Sequence, residues 1–261
     1  MKTLVIKFGG ASVSTPEAFH SVARIVVQRS LEYNRCVVVV SAMGDQTNQL
    51  LALASQVHAF PPKRELDMLV SVGERVSSSL LAMALSLQNK EAISFTGSQS
   101  GIITSEDHTE AQILDVKPHR ILRQLDLNKV VIVAGFQGVS LSGEITTLGR
   151  GGSDTSAVAL AVALNADKVE FYKDVQGVYS EDPKNNDKAI FYPELSYDAA
   201  LEIMGKGSRV LHARAVSLAK KNNLRLHVLS FNDINFSSSR GSWIQSSVRT
   251  SQLNRSIYEG G

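Results

Sequence analysis

Short apolar, β-branched runs alternate along this chain with longer stretches whose apolar residues recur at helical spacing. Leu4-Val5-Ile6 reads as a strand, and Pro16 to Leu31 reads as a helix with Thr15 as its N-cap and Pro16 in its first turn. Val37 to Val40 is a fully apolar strand, followed by a helix from about Gln46 to Val57. Pro61-Pro62 marks a break, and one long helix is expected from about Lys63 to Leu87. Ile93–Phe95 and Val130–Ala134 read as the third and fourth strands, while Val139 to Thr147 alternates around Ser142-Gly143 as a hairpin. Beyond it come a helix over Ser153–Leu164, a strand over Lys168–Tyr172 and a loop to Pro183. Helices near Tyr197–Met204 and Leu211–Asn222 and a strand at Leu226–Leu229 complete the pattern. Strands alternating with helices imply an α/β fold with a mainly parallel sheet covered on both faces. No internal repeat or clear linker interrupts the chain, and residues 245–261 are polar and aperiodic, as in a frayed tail.

With 261 residues, the chain is long enough for one large α/β domain or two intimate lobes. A formal net charge of +2 is too small to argue for nucleic acid, and Lys220-Lys221 reads as a solvated helix face. The single Cys36 excludes an internal disulfide and a multi-cysteine metal site, and its place in an apolar run makes it a buried thiol. No apolar run approaches roughly 18 residues and no charged-then-apolar leader opens the chain, so no membrane partner and a cytoplasmic location are expected.

Chemistry concentrates in Thr147-Leu148-Gly149-Arg150-Gly151-Gly152-Ser153-Asp154, directly before an apolar helix. Glycines let a backbone approach an anion closely, a helix N-terminus presents unpaired N–H groups, and Arg150 adds a planar fork for a carboxylate or phosphate. A second glycine turn, Lys7-Phe8-Gly9-Gly10, closes the first strand, where a parallel sheet collects ligands. It fits neither the P-loop spacing nor the dinucleotide fingerprint. Two such loops, each with a basic residue, point to phosphate chemistry. Gly73 inside a helix signals close approach by a backbone or ligand, and Glu74 beside it suits either an amine or an ion pair with a nearby arginine. Thr96-Gly97 and Gly135-Phe136-Gln137-Gly138 follow further strands as site-lining loops, and Lys173-Asp174 follows another. Asp174 suits a ribose hydroxyl or magnesium. The six histidines show neither metal-ligand spacing nor a nucleophile partner.

Taken in order, these residues resemble the aspartate kinase catalytic domain of the amino-acid kinase family. The resemblance runs from about Lys2 to Ile244 and rests on the Lys7-to-Val13 turn, Val40-to-Asp45, Gly73-Glu74-Arg75, Thr147-to-Asp154, Lys173-to-Pro183 and Gly207-to-Leu211. It implies a three-layer αβα sandwich around a mainly parallel sheet of about eight strands. Residues 1–244 would form the catalytic domain, with about 1–165 binding the amino acid, about 166–244 binding ATP, and 245–261 a polar tail. The implied reaction is phosphoryl transfer from ATP, with Mg²⁺ carried by the nucleotide, to the β-carboxylate of L-aspartate. That is the first step toward lysine, threonine and methionine biosynthesis.

By position, Lys7, Gly9 and Gly10 would hold the ATP phosphates. Ser41, Thr47, Glu74, Arg150, Ser153 and Asp154 would surround aspartate, with Lys7, Arg150 and Asp154 catalytic. Lys173, Asp174, Tyr179, Asp182 and Arg209 would stand on the nucleotide side. Ala11 replaces the family's usual Thr or Ser, and Arg209 its usual lysine. The chain stops where the family's paired ACT domains begin, so feedback by lysine or threonine through them is not expected. Oligomeric state stays open between a homodimer and association with a separate regulatory chain. The alternatives are a kinase of another small amino acid or carboxylate, and a catalytically silent binding subunit.

Overall fold

The computed structural model describes residues 2–208, 210–233, 241–246 and 257–259. Strand β1 (Thr3–Phe8) leads through a 3₁₀ turn at Gly10–Val13 into helix α1 (Pro16–Glu32), where the Thr15 side chain accepts the Ala18 amide as N-cap. Strand β2 (Arg35–Val40) is followed by α2 (Gln46–Val57), α3 (Lys63–Val70) and α4 (Val72–Ser86). The expected single helix from Lys63 is thus divided at Ser71. There the Ser71 hydroxyl bonds back to Met68 O at 3.1 Å and its carbonyl accepts from Gln137 Nε2 at 2.8 Å. Taken as one run, Lys63–Ser86 is long and apolar enough by composition to cross a membrane, contrary to the sequence expectation. Half of that window is buried inside the fold, as in the core helix of a globular protein.

Next come β3 (Ala92–Phe95), β4 (Ile102–Thr104), β5 (Ile113–Val116), α5 (His119–Asp126) and β6 (Val130–Ala134). The hairpin expected about Ser142-Gly143 is β7 (Gln137–Ser140) with β8 (Ile145–Thr147). Helix α6 (Gly152–Ala163) and β9 (Lys168–Lys173) follow, then the short pair β10 (Val178–Tyr179) and β11 (Phe191–Tyr192). The remaining elements are β12 (Glu194–Leu195), α7 (Tyr197–Gly205), α8 (Ala213–Lys221), β13 (Leu226–Ser230) and β14 (Ser242–Ile244).

Eight strands form the main sheet in the order β12-β14-β13-β9-β1-β2-β6-β3, parallel throughout except where β14 meets β13. A separate four-stranded sheet, β5-β4-β7-β8, stands beside it. Side chains alternate along each central strand. Val5, Val37, Val39, Val131 and Phe171 pack on one face with α6 and α8, while Leu4, Ile6, Val38, Val40 and Ile132 pack on the other with α1 and α4. Burial on both faces explains why the central strands read as unbroken apolar runs. Cys36 is buried, and burial pushes its thiol up to about 12, as an inert core group requires.

Of the expected polar tail, residues 247–256 and 260–261 lie outside the described residues, while 257–259 pack against the fold. Tyr258 joins the core on the α6 side, and the Glu259 amide donates to Ile113 O at 3.0 Å.

Candidate functional site

Strand β1 lies between β2, reached through α1 on one face of the sheet, and β9, reached through α6 on the other. Such a switch point opens a crevice at the carboxyl ends of the strands. Alternation places Lys7 on the face of Val5, beneath α6, whose first turn carries Asp154. Lys7 Nζ is 2.6 Å from Asp154 Oδ1, and Lys173 Nζ, at the end of β9, is 3.4 Å from Oδ2. Burial alone would raise the Asp154 carboxyl, but Lys173 and Lys7 outweigh it and hold Asp154 down at about 2. Burial brings the Lys173 ammonium down to about 8, although the Asp154 carboxylate opposes the shift. Two ammonium groups around one carboxylate leave the crevice with an excess positive charge.

Above this cluster opens a cavity of about 510 Å³, bordered by Lys7, Gly10, Ser41, Thr47, Glu74, Arg150, Ser153 and Asp154. All six residues expected around the amino acid therefore meet at one cavity, with Lys7 and Gly10 at its border. Glycine is required at several points of this wall. A Cβ on Gly10 would lie 2.9 Å from the carbonyl oxygens of Ala42 and Gly44, so the first glycine turn nests against the loop after β2. Gly151 has φ +71°, and a Cβ there would lie 2.1 Å from His212 Cγ. Arg150, between Gly149 and Gly151, is exposed and makes no ion pair or hydrogen bond among the described residues.

The helix-interior Gly73 is explained by Ala42, whose Cβ would meet an added Cβ at 2.7 Å. That approach lets the Ala42 amide donate to Glu74 Oε1 at 3.1 Å, while Glu74 Oε2 is buried with no hydrogen-bond partner among the described residues. Burial raises the Glu74 carboxyl to about 7, with the Ala42 amide acting against the shift. Glu74 makes no ion pair with Arg75, which instead reaches Gln137 Oε1 and Ser71 Oγ, each at 3.4 Å. The bland ion-pair reading of Glu74 is thereby set aside.

Sequence reasoning missed Asp67. Fully buried in α3, its carboxylate accepts from His108 Nδ1 at 2.7 Å, from the Thr109 amide at 3.1 Å and from Thr147 Oγ1 at 2.5 Å. It ties two cavity-lining threonines to one helix, and an aspartate directly before the apolar Met68-Leu69-Val70 was the available signal. Phe136 also lines the cavity, with an unusual φ of +67° for a non-glycine residue.

The remaining expected residues lie elsewhere. Gly9 caps the 3₁₀ turn, and a Cβ there would lie 3.4 Å from Lys7 Nζ. Lys173 ends β9 and Asp174, Tyr179 and Asp182 follow it, and none of the four lines the cavity. Asp174 is exposed and paired with Lys184, which lowers its carboxyl. Tyr179 packs edge-on against Phe191, and the Asp182 carboxylate accepts the Lys184 amide at 2.9 Å. Arg209 falls outside the described residues.

The amino acid kinase family profile matches residues 2–230. An aspartokinase of Bacillus sp. (strain MGA3) is 50% identical over 230 residues, covering 88% of this chain and 56% of that protein. The crystal structure of aspartate kinase from Synechocystis superimposes with a TM-score of 0.81 at 42% identity, covering 98% of this chain and 41% of that one. Aspartokinase III of E. coli, solved in complex with aspartate and ADP, gives a TM-score of 0.82 at 25% identity, covering 95% of this chain and 66% of that one. The chain thus spans just over half the length of its Bacillus relative.

Proposed function

Because the chain belongs to the amino acid kinase family, we propose that it transfers the terminal phosphoryl group of ATP to the β-carboxylate of L-aspartate, giving 4-phospho-L-aspartate and ADP. One observation carries the reading. Lys7 and Lys173 converge on Asp154 at a cavity that also holds the orphan Glu74 Oε2 and the unengaged Arg150. Arg150 and Glu74 are opposite in charge to the α-carboxylate and α-ammonium of an amino dicarboxylate, and the two lysines to its second carboxylate and a phosphate. The names of the relatives, and the aspartate and ADP held by the E. coli enzyme, point the same way.

Arg150 takes the α-carboxylate by a bidentate contact. Glu74 Oε2 takes the α-ammonium, which supplies the partner its burial denies it. Ser41, Thr47 and Ser153 complete the polar wall. The β-carboxylate then lies toward Lys7. One of its oxygens forms a bond to the γ-phosphorus while the bond from that phosphorus to the bridging oxygen of ADP breaks, and the electron pair leaves with ADP. The carboxylate is already ionised, so no general base is needed. The chain contributes alignment and charge neutralisation. Lys7, with Gly9 and Gly10, meets the phosphates; Asp154 orients Lys7 and Lys173.

Asp174, Tyr179, Asp182 and Arg209 stand on the nucleotide side of this reading, with residues about 1–165 serving the amino acid and about 166–244 the nucleotide. A Mg²⁺ ion carried by the nucleotide would be held mainly by phosphate oxygens and water, and would supply charge neutralisation at the transferring group. The reading places the reaction in the cytoplasm, where ATP and aspartate are available.

The test is ADP release, followed by a coupled assay, with ATP and Mg²⁺ against a panel of L-aspartate, L-glutamate, N-acetyl-L-glutamate and UMP. ADP formation that depends on aspartate alone is expected. Stimulation by another acceptor but not by aspartate would reassign the substrate.

A further inference from the structure

Among the described residues no side chain holds Arg150, so the backbone of its loop decides where the guanidinium points. That loop is anchored from two sides. Thr147 Oγ1 is fixed by Asp67, and the Leu148 amide donates to Phe136 O at 2.9 Å. The Leu148 carbonyl, two residues before Arg150, accepts from Arg214 Nη1 in the first turn of α8. Gly149 and Gly151 then adopt left-handed conformations with φ +68° and +71°. The His212 ring lies against Gly151, so α8 touches the loop at both ends.

Arg214 is itself clamped. Its Nη2 donates to Ala111 O at 3.1 Å, while Nε and Nη2 bind Glu259 Oε1 and Oε2 at 2.8 and 3.0 Å. This two-pronged contact fixes the plane of the guanidinium as well as its position. Glu259 is locked in turn, accepting the Ile113 amide on Oε2 at 2.8 Å and donating its own amide to Ile113 O. Buried Tyr258 seats the same segment in the core.

We propose that Arg214 is a positioning residue for Arg150 and that Glu259 holds Arg214 in place, so that residues 257–259 serve a cavity they do not line. Glu259 orients Arg214, Arg214 fixes the Leu148 carbonyl, and the fixed carbonyl aims the arginine that follows. As a statement about substrate the inference rests on Arg150 as the carboxylate-binding residue; as a statement about the loop it stands alone.

Glu259→Gln and Arg214→Lys in the full chain test it, with amide hydrogen exchange, melting temperature and both KM values measured. Faster exchange at residues 148–152 is expected in Glu259→Gln, with protection of the central strands unchanged. The aspartate KM should rise about two- to thirtyfold, the range for residues that act through others, while the ATP KM stays constant. Adding Glu259→Gln to Arg150→Ala should cost no further aspartate affinity, because the positioned group is already gone. Arg214→Lys, which keeps the charge but loses the fork, should resemble Glu259→Gln. Unchanged exchange at 148–152, an equal rise in both KM values, or additive losses in the double variant would overturn the proposal. If the wild-type chain gave no ADP with aspartate, the functional reading would fail and the exchange experiment would still decide the positioning role.

Discussion

Lys7 Nζ stands 2.6 Å from Asp154 Oδ1, with both side chains less than a tenth exposed, and Lys173 approaches the other carboxylate oxygen. A buried carboxylate balanced by two ammonium groups is electrostatically incomplete until an anion arrives. Removing one member of such a cluster leaves the others poorly compensated. The arrangement therefore reads as a preorganised phosphate-facing charge as well as a structural pair.

Lys7→Ala is expected to lower kcat by about 10²- to 10³-fold, the usual loss for a group aimed at developing charge, with a smaller effect on the aspartate KM. Steady-state kinetics at saturating ATP checks this. A kcat near the wild-type value would remove Lys7 from the reaction.

Two groups predict a narrow pH profile. Glu74, raised to about 7, must be ionised to take the substrate ammonium, so kcat/KM for aspartate should climb through about pH 7. Lys173, lowered to about 8, must stay protonated, so the same parameter should fall above about pH 8. Glu74→Gln should abolish the acid limb, and Lys173→Arg should move the alkaline limb upward. A profile flat over roughly pH 6 to 9 would contradict both assignments.

Stability should follow Glu74 in the opposite sense. Its folded value lies above its ordinary 4.5, so the stabilising contribution is complete below about pH 4.5 and is lost as pH rises through about 7. Glu74→Gln should remove that slope from the melting temperature of the ligand-free chain. A slope that persists unchanged in the variant would place its origin elsewhere.

The Gly151 backbone offers a steric test. Gly151→Ala must hold a positive φ and place a Cβ 2.1 Å from His212 Cγ, so most activity should be lost. Gly143→Ala has comparable φ strain at +90° but nothing within 4 Å, and should cost only about 1–2 kcal/mol of stability. Equal activity in the two variants would show that the contact with α8 is dispensable.

Much of this was legible in the sequence because the central strands are buried on both faces and the glycine loops require their residues. Val37 to Val40 and the run from Gly149 to Asp154 allow few other readings. Short edge elements were not legible. Strand β4 spans three residues with a register shift between Ile103 and Thr104, too short for periodicity to register. Strands β12 and β14 are two and three residues long, and α5 is an eight-residue helix in a polar stretch. The partners of Glu74 and Asp67 come from distant segments, Ala42, Thr109 and Thr147, so no local spacing reveals them. The docking of Glu259 on Arg214 was invisible for the same reason, since only the fold joins the chain's end to α8.

Arg150→Ala should raise the aspartate KM roughly 10- to 100-fold, the loss of a charge-assisted contact, while leaving the ATP KM within about twofold. An unchanged aspartate KM would transfer the carboxylate contact to another residue.

The most direct measurement is a hydroxylamine trap on the whole chain with ATP, Mg²⁺ and L-aspartate. An acyl phosphate is captured there as a hydroxamate, which neither a phosphate ester nor simple ATP hydrolysis yields. Aspartyl hydroxamate is expected in equal amount to the ADP formed, with no hydroxamate from glutamate or N-acetylglutamate. ADP without hydroxamate, or no product at all from folded protein, would contradict it.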